Sequence, residues 1–365
     1  MIDLLATPPP RFAVKLMLAF RRALHGLADR IVPAQLVIVE RAMGTGATQT
    51  LALVAEHRIA DLLHSGPRSG AELAQSTGLD RDGLERTLRA LATLGIFERL
   101  ADGRWGNTRL SEVLRSDGPL SVRAYAAYMG SPSTAGAWAS FAETVRTGKS
   151  AFPRVFGKSV WTYFDEHPDE RDLFAEVMTQ LTLSMAPSVA AAYPWHEVRR
   201  VCDVGGGRGH LLSALLRAHP ALQGALLDGP GVIDLARDYL RGQGMLERVQ
   251  LWPGSFFDDV PAGCDAYLLK DVLHDWDDAR SLRILRNVRK AMQPGNRVLV
   301  TEMLVEPDTT DGPGPFVDLQ MLTVCDEGRQ RSRAEMRALL DRAGFELTRV
   351  VHTPVLVSVV EGVAR

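Results

Sequence analysis

The sequence predicts an α/β protein of two domains, in which a mainly helical N-terminal domain precedes a mostly parallel seven-stranded sheet with helices on both faces. The 365 residues are too many for one ordinary core. From about Phe12 to Pro194 apolar residues recur at helical spacing, and beyond that point short apolar strands alternate with helices. We therefore expect domains at residues 1–194 and 195–365.

Residues 71–115 predict a winged helix within the first domain. A turn at Gly78 separates a short helix from a longer one that ends at Gly95, and two short strands follow around Asp102-Gly103. A winged helix often reads DNA, so a DNA-binding regulator is an alternative interpretation. The second helix, however, mixes three arginines with three acidic residues, which is typical of a solvated or packed face.

The second domain shows the alternation of strands and helices that is typical of a parallel sheet. Runs rich in Val, Leu and Ala are bounded by Gly, Pro or Asp, as buried strands usually are. The predicted strands are residues 201–204, 224–228, 249–253, 266–269, 297–302, 345–352 and 355–361.

The balance of charge argues against nucleic acid or an anionic membrane as a partner. Lys and Arg total 42 against 44 Asp and Glu, for a net charge of −2. Three widely spaced cysteines, Cys202, Cys264 and Cys325, suggest neither a disulfide framework nor a metal site. Residues 1–11 lack the features of a signal peptide, and no long apolar run follows. We expect a cytoplasmic protein that needs no metal.

The stretch VCDVGGGRG places four glycines between a predicted strand and a helix. A dinucleotide fingerprint needs glycine at positions one, three and six of its loop. Counting from Gly205, the third position is Gly207 but the sixth is His210, so NAD is disfavoured. The pattern that starts at Asp203 instead indicates a nucleoside cofactor bound at Asp203, Gly205 and Gly207, with a plain strand-to-helix turn as the alternative.

Later strands deliver ligand-compatible residues to the same edge, where open α/β sheets bind ligands. Asp228 ends the second strand, where a carboxylate accepts hydrogen bonds from two ribose hydroxyls or merely forms a turn. Ser255 and Phe256 follow the third strand, where a base would lie, although Phe256 also suits a core. The fourth strand leads to Lys270, His274, Asp275 and Trp276, and the fifth ends at Glu302.

Taken together, these motifs make the chain resemble the S-adenosylmethionine-dependent O-methyltransferases of small aromatic molecules. This is the caffeic-acid and hydroxyindole type, with bacterial relatives that tailor polyketide antibiotics. The resemblance covers nearly the whole chain, because that family also has an N-terminal winged-helix domain used for dimerisation. It implies a Rossmann-like methyltransferase fold, S-adenosylmethionine as cofactor with S-adenosylhomocysteine as product, and a homodimer. The motifs are DVGGGRG, LLDGP, GSFF, LLKDVLHDW, VTEML and DLQMLTVCDEGRQRS.

The resemblance also assigns cofactor contacts. They would fall on Gly205, Asp228, Phe256 and Lys270, with Trp276 packing near the adenine.

Two positions depart from the family pattern. Ser255 stands where the family usually has an Asp that binds the adenine amino group, and Gln330 stands where it usually has one of two Glu residues beside the catalytic histidine. Glutamine accepts a hydrogen bond from imidazole but cannot balance an imidazolium charge, which would leave that role to Glu302.

Methyl transfer to a phenol needs a base, because a hydroxyl with a pKa of about 10 is almost entirely neutral near pH 7. His274 is poised to take that proton. We expect Glu302 to hold the imidazole ring in the right tautomer and to stabilise the imidazolium. For Asp275 two roles remain open, orientation of the substrate or, slightly favoured, capping of the helix that begins at Asp277-Asp278.

A flat apolar substrate suits a pocket of thioethers and aromatic rings. The same fold and cofactor diverted to hydroxylation or decarboxylation is the other alternative, which Gln330 leaves open. Met185 belongs to the expected pocket group as well. The other expected pocket residues are Met129, Trp138, Phe164, Phe174, Met178, Met321, Val324 and Cys325.

The N-terminal half carries more apolar helical sequence than a winged helix needs for its own core. The segments are AVKLMLAF and PAQLVIVERAMGTGATQTLALVAEHRIADLL. Apolar surface of this kind must be covered by a partner or by the second domain. The family resemblance points to a twofold homodimer of the obligate class, and packing of these helices wholly within one chain is the alternative.

Overall fold

A computed structural model describes residues 11–118, 120–310 and 312–365 and divides the chain into two compact units. The helical unit comprises Ala19–Ala139 and Trp161–Leu181. The sheet unit comprises residues 11–18, Ser140–Val160 and Thr182–Arg365. Along the chain the two units therefore alternate, and a single boundary at residue 194 stays a prediction.

The first half of the chain is helical as predicted and carries one small hairpin. Its elements are α1 (Arg11–Ile31), α2 (Ala34–Ala42), α3 (Gly44–Glu56), α4 (Ile59–Leu62), α5 (Gly70–Thr77), α6 (Arg81–Thr93), β1 (Phe97–Arg99), β2 (Trp105–Asn107), α7 (Arg123–Met129), α8 (Pro132–Ala139), α9 (Phe141–Thr147), α10 (Phe152–Phe156), α11 (Val160–Glu166) and α12 (Pro168–Ala192).

Helices α5 and α6 with the β1–β2 hairpin form the predicted winged helix. Ser69 and Glu72 make a capping box at the start of α5, which ends at Gly78 with a φ of 72°. Asp80 then caps α6 by accepting a hydrogen bond from the Gly83 N–H. The core of this motif consists of buried leucines packed with Trp105 of the hairpin.

The C-terminal half forms the predicted seven-stranded sheet. The strand order is β5-β4-β3-β6-β7-β9-β8, in which β3 to β7 run parallel and β9 is antiparallel to both of its neighbours. The elements are β3 (Arg200–Val204), α13 (His210–Ala218), β4 (Gln223–Asp228), α14 (Pro230–Gly242), β5 (Val249–Pro253), β6 (Ala266–Lys270), α15 (Asp278–Ala291), β7 (Arg297–Glu302), α16 (Gly314–Val324), α17 (Arg333–Arg342), β8 (Phe345–His352) and β9 (Ser358–Ala364).

Strands β6 and β7 are buried on both faces, which explains their continuous apolar sequence. Helices pack on each side, so the sheet lies between two apolar clusters. The predicted start of the last strand at residue 355 is wrong, because β9 begins at Ser358. The preceding residues form the hairpin turn, in which the Thr353 hydroxyl donates a 2.6 Å hydrogen bond to the Val357 carbonyl.

The parallel strands β3 to β7 end at one edge of the sheet, and this edge carries the residues singled out from the sequence. Within the described residues, no helix is both long and apolar enough to cross a membrane.

Candidate active site

The glycine loop joins β3 to α13 and leaves room for a ligand. The Gly205 N–H donates a 2.8 Å hydrogen bond to the Leu227 carbonyl, and Gly205 has a φ of 73°. A Cβ added there would lie 3.0 Å from Val272 and 3.3 Å from Phe256, so only glycine fits. A Cβ at Gly207 would meet nothing within 4 Å, although its φ of 57° also favours glycine. The loop is thus packed at its base and open at Gly207.

Asp228 is held rigidly beside this opening. One carboxylate oxygen accepts a 2.8 Å hydrogen bond from the Gly207 N–H, and the other accepts a 2.7 Å bond from the Gly229 N–H. Burial raises the pKa of Asp228 above its ordinary value, opposed by these two amides. Each oxygen keeps acceptor capacity after its one bond, so the group suits a pair of neighbouring hydroxyls. The turn role and the ribose role considered for Asp228 are therefore compatible.

Asp203 lies buried beneath the same loop. A Cβ added to Gly206 would lie 2.8 Å from the Asp203 carboxyl carbon, so the carboxyl and the loop are in close contact. Burial raises the pKa of Asp203 to about 7. Its Oδ2 has no hydrogen-bond partner among the residues that the structure describes. An unfilled buried acceptor at a glycine loop fits a ligand that donates a hydrogen bond.

The turn after β5 supplies an aromatic wall. The ring of Phe256 lies 4.9 Å from that of Phe257, which meets the Trp276 ring edge-on at 4.8 Å. All three pack against the sheet core while remaining partly accessible. The Ser255 hydroxyl accepts a 3.2 Å hydrogen bond from the Phe257 N–H, so it stabilises its own turn.

Lys270 ends β6 and forms an ion pair with Asp271, and both side chains are almost fully buried. Asp271 has a φ of 51°, a left-handed conformation that is uncommon for a residue other than glycine. Burial acts to raise the pKa of Asp271, but the charges of Lys270 and His274 lower it below its ordinary value. The contact of Lys270 with a cofactor stays a prediction.

His274 lies four residues beyond β6, in a short 3₁₀ turn from Leu273 to Asp275. Its Nδ1 is 2.8 Å from the side-chain nitrogen of Gln330, and its Nε2 is 3.5 Å from Asp275 Oδ1. Burial acts to lower the pKa of His274, but the charges of Asp275, Asp271 and Glu302 outweigh it and raise the pKa above the ordinary 6.5. A histidine in this setting takes up a proton readily near neutral pH.

Glu302 does not hold the imidazole ring, contrary to the expectation from sequence. Its Oε1 accepts a 3.0 Å hydrogen bond from the backbone N–H of His274, and the ring is contacted by Gln330 instead. Burial raises the pKa of Glu302 above its ordinary value, opposed by the charges of His274 and Arg331. Its Oε2 is buried and has no hydrogen-bond partner within the described part of the chain.

Asp275 does not cap a helix, which corrects the interpretation favoured from sequence. Helix α15 is capped by Asp277, whose carboxylate accepts a 2.8 Å hydrogen bond from the Arg280 N–H. The side chain of Asp275 points instead to His274 and accepts a 3.4 Å hydrogen bond from the Cys325 thiol. Burial raises the pKa of Asp275 to about 6, opposed by the charge of His274.

The sequence analysis missed three residues that support His274 or Gln330, namely Asp318, Arg329 and Arg331. The backbone N–H of Gln330 donates a 2.7 Å hydrogen bond to Asp318, and the backbone N–H of Arg329 donates a 2.8 Å bond to the His274 carbonyl. The fully buried Arg331 binds the carbonyls on either side of the turn. All three residues lie in the motif DLQMLTVCDEGRQRS, but nothing in the sequence indicated a role for any of them.

The residues predicted to line a substrate pocket divide between the two units. In the sheet unit, the Cys325 thiol lies 3.9 Å from the Met321 sulfur, and Val324 is buried beside it. Met185 packs against the apolar cluster of the sheet. That these residues form one pocket with the members in the helical unit stays a prediction. Those members are Met129, Trp138, Phe164, Phe174 and Met178.

Two of those helical-unit residues lie at the centre of an aromatic cluster. Phe174 stacks on Phe164 at 5.2 Å and contacts Tyr128 and Trp161 at 5.6 Å and 5.9 Å. Met178 follows Phe174 by one turn of α12. Phe164 and Tyr128 are buried in this cluster, whereas Phe174 and Met178 are partly accessible. The accessible ring and thioether offer apolar contacts to an aromatic ligand.

Two families of known domains match the chain. The O-methyltransferase domain family matches residues 138–346, which is more than half of the chain. The O-methyltransferase dimerisation domain family matches residues 39–117.

Known proteins align over almost the full length. The mitomycin biosynthesis 6-O-methyltransferase of Streptomyces lavendulae is 38% identical over 307 residues, covering 84% of this chain and 87% of that protein. The 8-amino-8-demethylriboflavin N,N-dimethyltransferase of Streptomyces davaonensis is 36% identical over 298 residues, covering 80% and 85%. The crystal structure of NcsB1, an O-methyltransferase from neocarzinostatin biosynthesis in complex with S-adenosylmethionine and 2-hydroxy-5-methyl naphthoic acid, superposes with a TM-score of 0.77 at 36% identity, covering 87% and 96%.

Proposed function

Because the chain belongs to the family of S-adenosylmethionine-dependent O-methyltransferases, we propose that it methylates a phenolic hydroxyl of a small aromatic compound, with His274 as the base. The observation that carries the proposal is the setting of His274. Its ring is held by Gln330 on one side and faces a carboxylate on the other, at the sheet edge that also carries the glycine loop.

The cofactor fits the residues that are present. The open loop at Gly207, the rigid carboxylate of Asp228 and the unfilled acceptor of Asp203 suit the hydroxyl and ammonium donors of S-adenosylmethionine. Gly205 and the aromatic wall that includes Phe256 would border it. When bound, this cofactor supplies a methyl group on a positively charged sulfur. We propose that Ser255, Lys270 and Trp276 also contact S-adenosylmethionine.

His274 acts as a base only if Nε2 is free of a proton and Nδ1 carries one. The amide of Gln330 determines which form is stable, since its oxygen accepts Nδ1–H whereas its nitrogen donates to an unprotonated Nδ1. In the structure the amide nitrogen lies 2.8 Å from Nδ1, and the amide oxygen is buried with no hydrogen-bond partner among the described residues. In the productive state the amide is turned over so that its oxygen accepts Nδ1–H, and the lone pair on Nε2 takes the phenol proton. Gln330 thereby orients the base without supplying charge.

Gln330 carries no charge, so the imidazolium formed in this step is stabilised by neighbouring carboxylates instead. Asp275, Asp271 and Glu302 all raise the pKa of His274, so the positive charge on the ring is favoured despite burial. These carboxylates would take the place of the second acid that the family resemblance implies at the position of Gln330. The base can therefore accept a proton although one flanking residue is neutral.

We also propose that the protein is a homodimer. Many large apolar side chains of α1 and α2 are exposed in the single chain, more than a monomeric surface normally carries. The match to a dimerisation domain over residues 39–117 supports a second copy of this chain as the partner that covers these side chains. The exposed residues are Phe12, Leu16, Met17, Leu18, Phe20, Leu24, Leu27, Ile31, Leu36, Ile38 and Val39.

The decisive assay incubates the enzyme with methyl-labelled S-adenosylmethionine and matched pairs of phenols and anilines. We expect label transfer to the phenols and formation of S-adenosylhomocysteine. Transfer to anilines alone would overturn the proposal, because a neutral amine needs no base at neutral pH. Products that gain oxygen or lose carbon dioxide would favour the alternative reactions. The mass in light scattering at micromolar concentration tests the dimer, and a monomer with full activity would contradict it.

A further inference from the structure

Arg331 is a fully buried arginine in the segment that follows α16. Its side chain is 0% exposed, and an uncompensated charge in such a place is strongly unfavourable. Asp278 compensates it, with one carboxylate oxygen accepting hydrogen bonds of 3.1 Å and 2.9 Å from Arg331 Nε and Nη2. Asp278 is the first residue of α15, so the arginine is anchored to the start of that helix.

The remaining donors of Arg331 bind the turn that carries His274. Nη1 donates a 2.9 Å hydrogen bond to the Leu273 carbonyl, and Nη2 donates a 3.0 Å bond to the Trp276 carbonyl. These two carbonyls flank His274 and Asp275. The Ser281 hydroxyl lies within hydrogen-bond distance of the same two carbonyls, at 3.1 Å and 3.3 Å, and of Nη2 at 3.1 Å. The planar guanidinium thus ties both ends of the turn to α15.

Arg331 also acts on the charges around the base. Its positive charge opposes the rise in the pKa of Glu302 that burial causes, and so favours the ionised carboxylate. Glu302 in turn is one of the carboxylates that raise the pKa of His274, with Asp275 and Asp271, while Lys270 acts in the opposite direction. The cation is therefore coupled to the base through Glu302.

We propose that Arg331 is a positioning residue, which fixes the turn that carries His274 against α15. It need not touch substrate or cofactor to do so. The proposal rests on the role of His274 as the base. An arginine that served stability alone would change the unfolding temperature but leave the pH dependence of catalysis where it is.

Two variants separate geometry from charge. Arg331→Lys keeps the charge but cannot span both carbonyls, so we expect kcat to fall by about tenfold to a hundredfold with an unchanged KM for S-adenosylmethionine. Arg331→Met removes the charge as well. Loss of the cation raises the pKa of Glu302 further and so favours its neutral form, which weakens a negative charge near His274. We therefore expect the acid limb of the kcat profile to move to lower pH by on the order of one unit.

The matched control is Arg342→Met. Arg342 lies 3.8 Å from the other oxygen of the same Asp278, but it is 57% exposed and contacts no carbonyl of the turn. We expect wild-type kcat and an unmoved acid limb. If Arg331→Met does not fold, Ser281→Ala loosens the same turn without loss of charge, and kcat should fall with the acid limb unchanged.

The outcomes distinguish this inference from the proposed function. Wild-type kcat in both Arg331→Lys and Ser281→Ala would overturn the positioning role. An acid limb that stays in place or rises in folded Arg331→Met would overturn the coupling to Glu302. If His274→Gln retains the wild-type profile, the base assignment itself has failed, whatever the Arg331 variants do.

Discussion

Asp275→Asn is the perturbation whose effect on the base follows most directly from the geometry. Asp275 Oδ1 lies 3.5 Å from His274 Nε2, and both side chains are largely buried. At that separation two unit charges interact by about 1 kcal/mol in water and about 5 kcal/mol at an effective dielectric constant of 20. Removal of the carboxylate charge is therefore expected to lower the pKa of His274 by about one to three units.

The direction of the effect on activity follows from the protonation state in which His274 is active. A base must be unprotonated, and the pKa of His274 is raised above 6.5, so wild-type activity should rise with pH through a limb above that value. Asp275 has a pKa of about 6 and is ionised through most of that limb. In Asp275→Asn the limb should move to lower pH, and the plateau should fall because a weaker base takes the phenol proton less readily.

The assay is kcat/KM for a neutral phenol between about pH 5 and 9, with labelled S-adenosylmethionine. Asp326→Asn is the control, since Asp326 is another partly buried carboxylate, next in sequence to Cys325, but pairs with Arg280 at 3.4 Å instead of His274. An unmoved acid limb in Asp275→Asn, with intact fold and cofactor affinity, would refute the reasoning.

The remaining predictions concern Gln330 and the glycine loop. Gln330→Glu adds a negative charge at 2.8 Å from His274 Nδ1, so the acid limb should move to higher pH and activity should be kept or improved on the plateau. A correctly folded but inactive Gln330→Glu enzyme would mean that the site is built for another reaction. Gly205→Ala places a methyl group 3.0 Å from Val272 at a φ of 73°, so the loop must shift and the Kd for S-adenosylmethionine should rise by at least about tenfold. Gly295→Ala is the control. Gly295 has a φ of 86° and lies in a turn at the opposite edge of the sheet, where an added Cβ would meet nothing within 4 Å. This variant has a similar backbone strain but should bind S-adenosylmethionine with wild-type affinity in calorimetry. Equal affinities in the two alanine variants would show that the loop does not contact the cofactor.

The sequence predicted the sheet and its ligand-binding edge well, because buried parallel strands have a continuous apolar pattern with polar residues where they end. Strands β5, β7 and β8 have the predicted bounds. The order of strands follows from the alternation with helices, which permits few topologies. The start of β9 was misplaced because the sequence around Val355 and Val357 is typical of a strand, whereas the carbonyls of these residues accept hydrogen bonds from the Thr353 hydroxyl in a turn.

The roles within the site depended on information that spacing does not contain. Glu302 and Gln330 both come close to His274, but which of them meets the ring and which meets the backbone is set by the register between β7 and the segment after α16. Asp275 was favoured as the cap because the helix was expected to begin at Asp277-Asp278, whereas the backbone shows that Asp277 is the cap and that α15 begins at Asp278. Arg331 was unassigned because its partners on the turn are backbone carbonyls, which leave no pattern in sequence, and its side-chain partners lie about 50 residues away.

The pH dependence of methyl transfer in His274→Gln tests the central claim most directly. Glutamine is similar in length, keeps a polar group and cannot act as a base, and His196→Gln on an exposed turn is the control. For a neutral phenol we predict that kcat falls by about 10²–10⁴ and that the acid limb disappears, with the Kd for S-adenosylmethionine unchanged. A His274→Gln enzyme that keeps more than half of the wild-type activity and the same acid limb would contradict the assignment of His274 as the base.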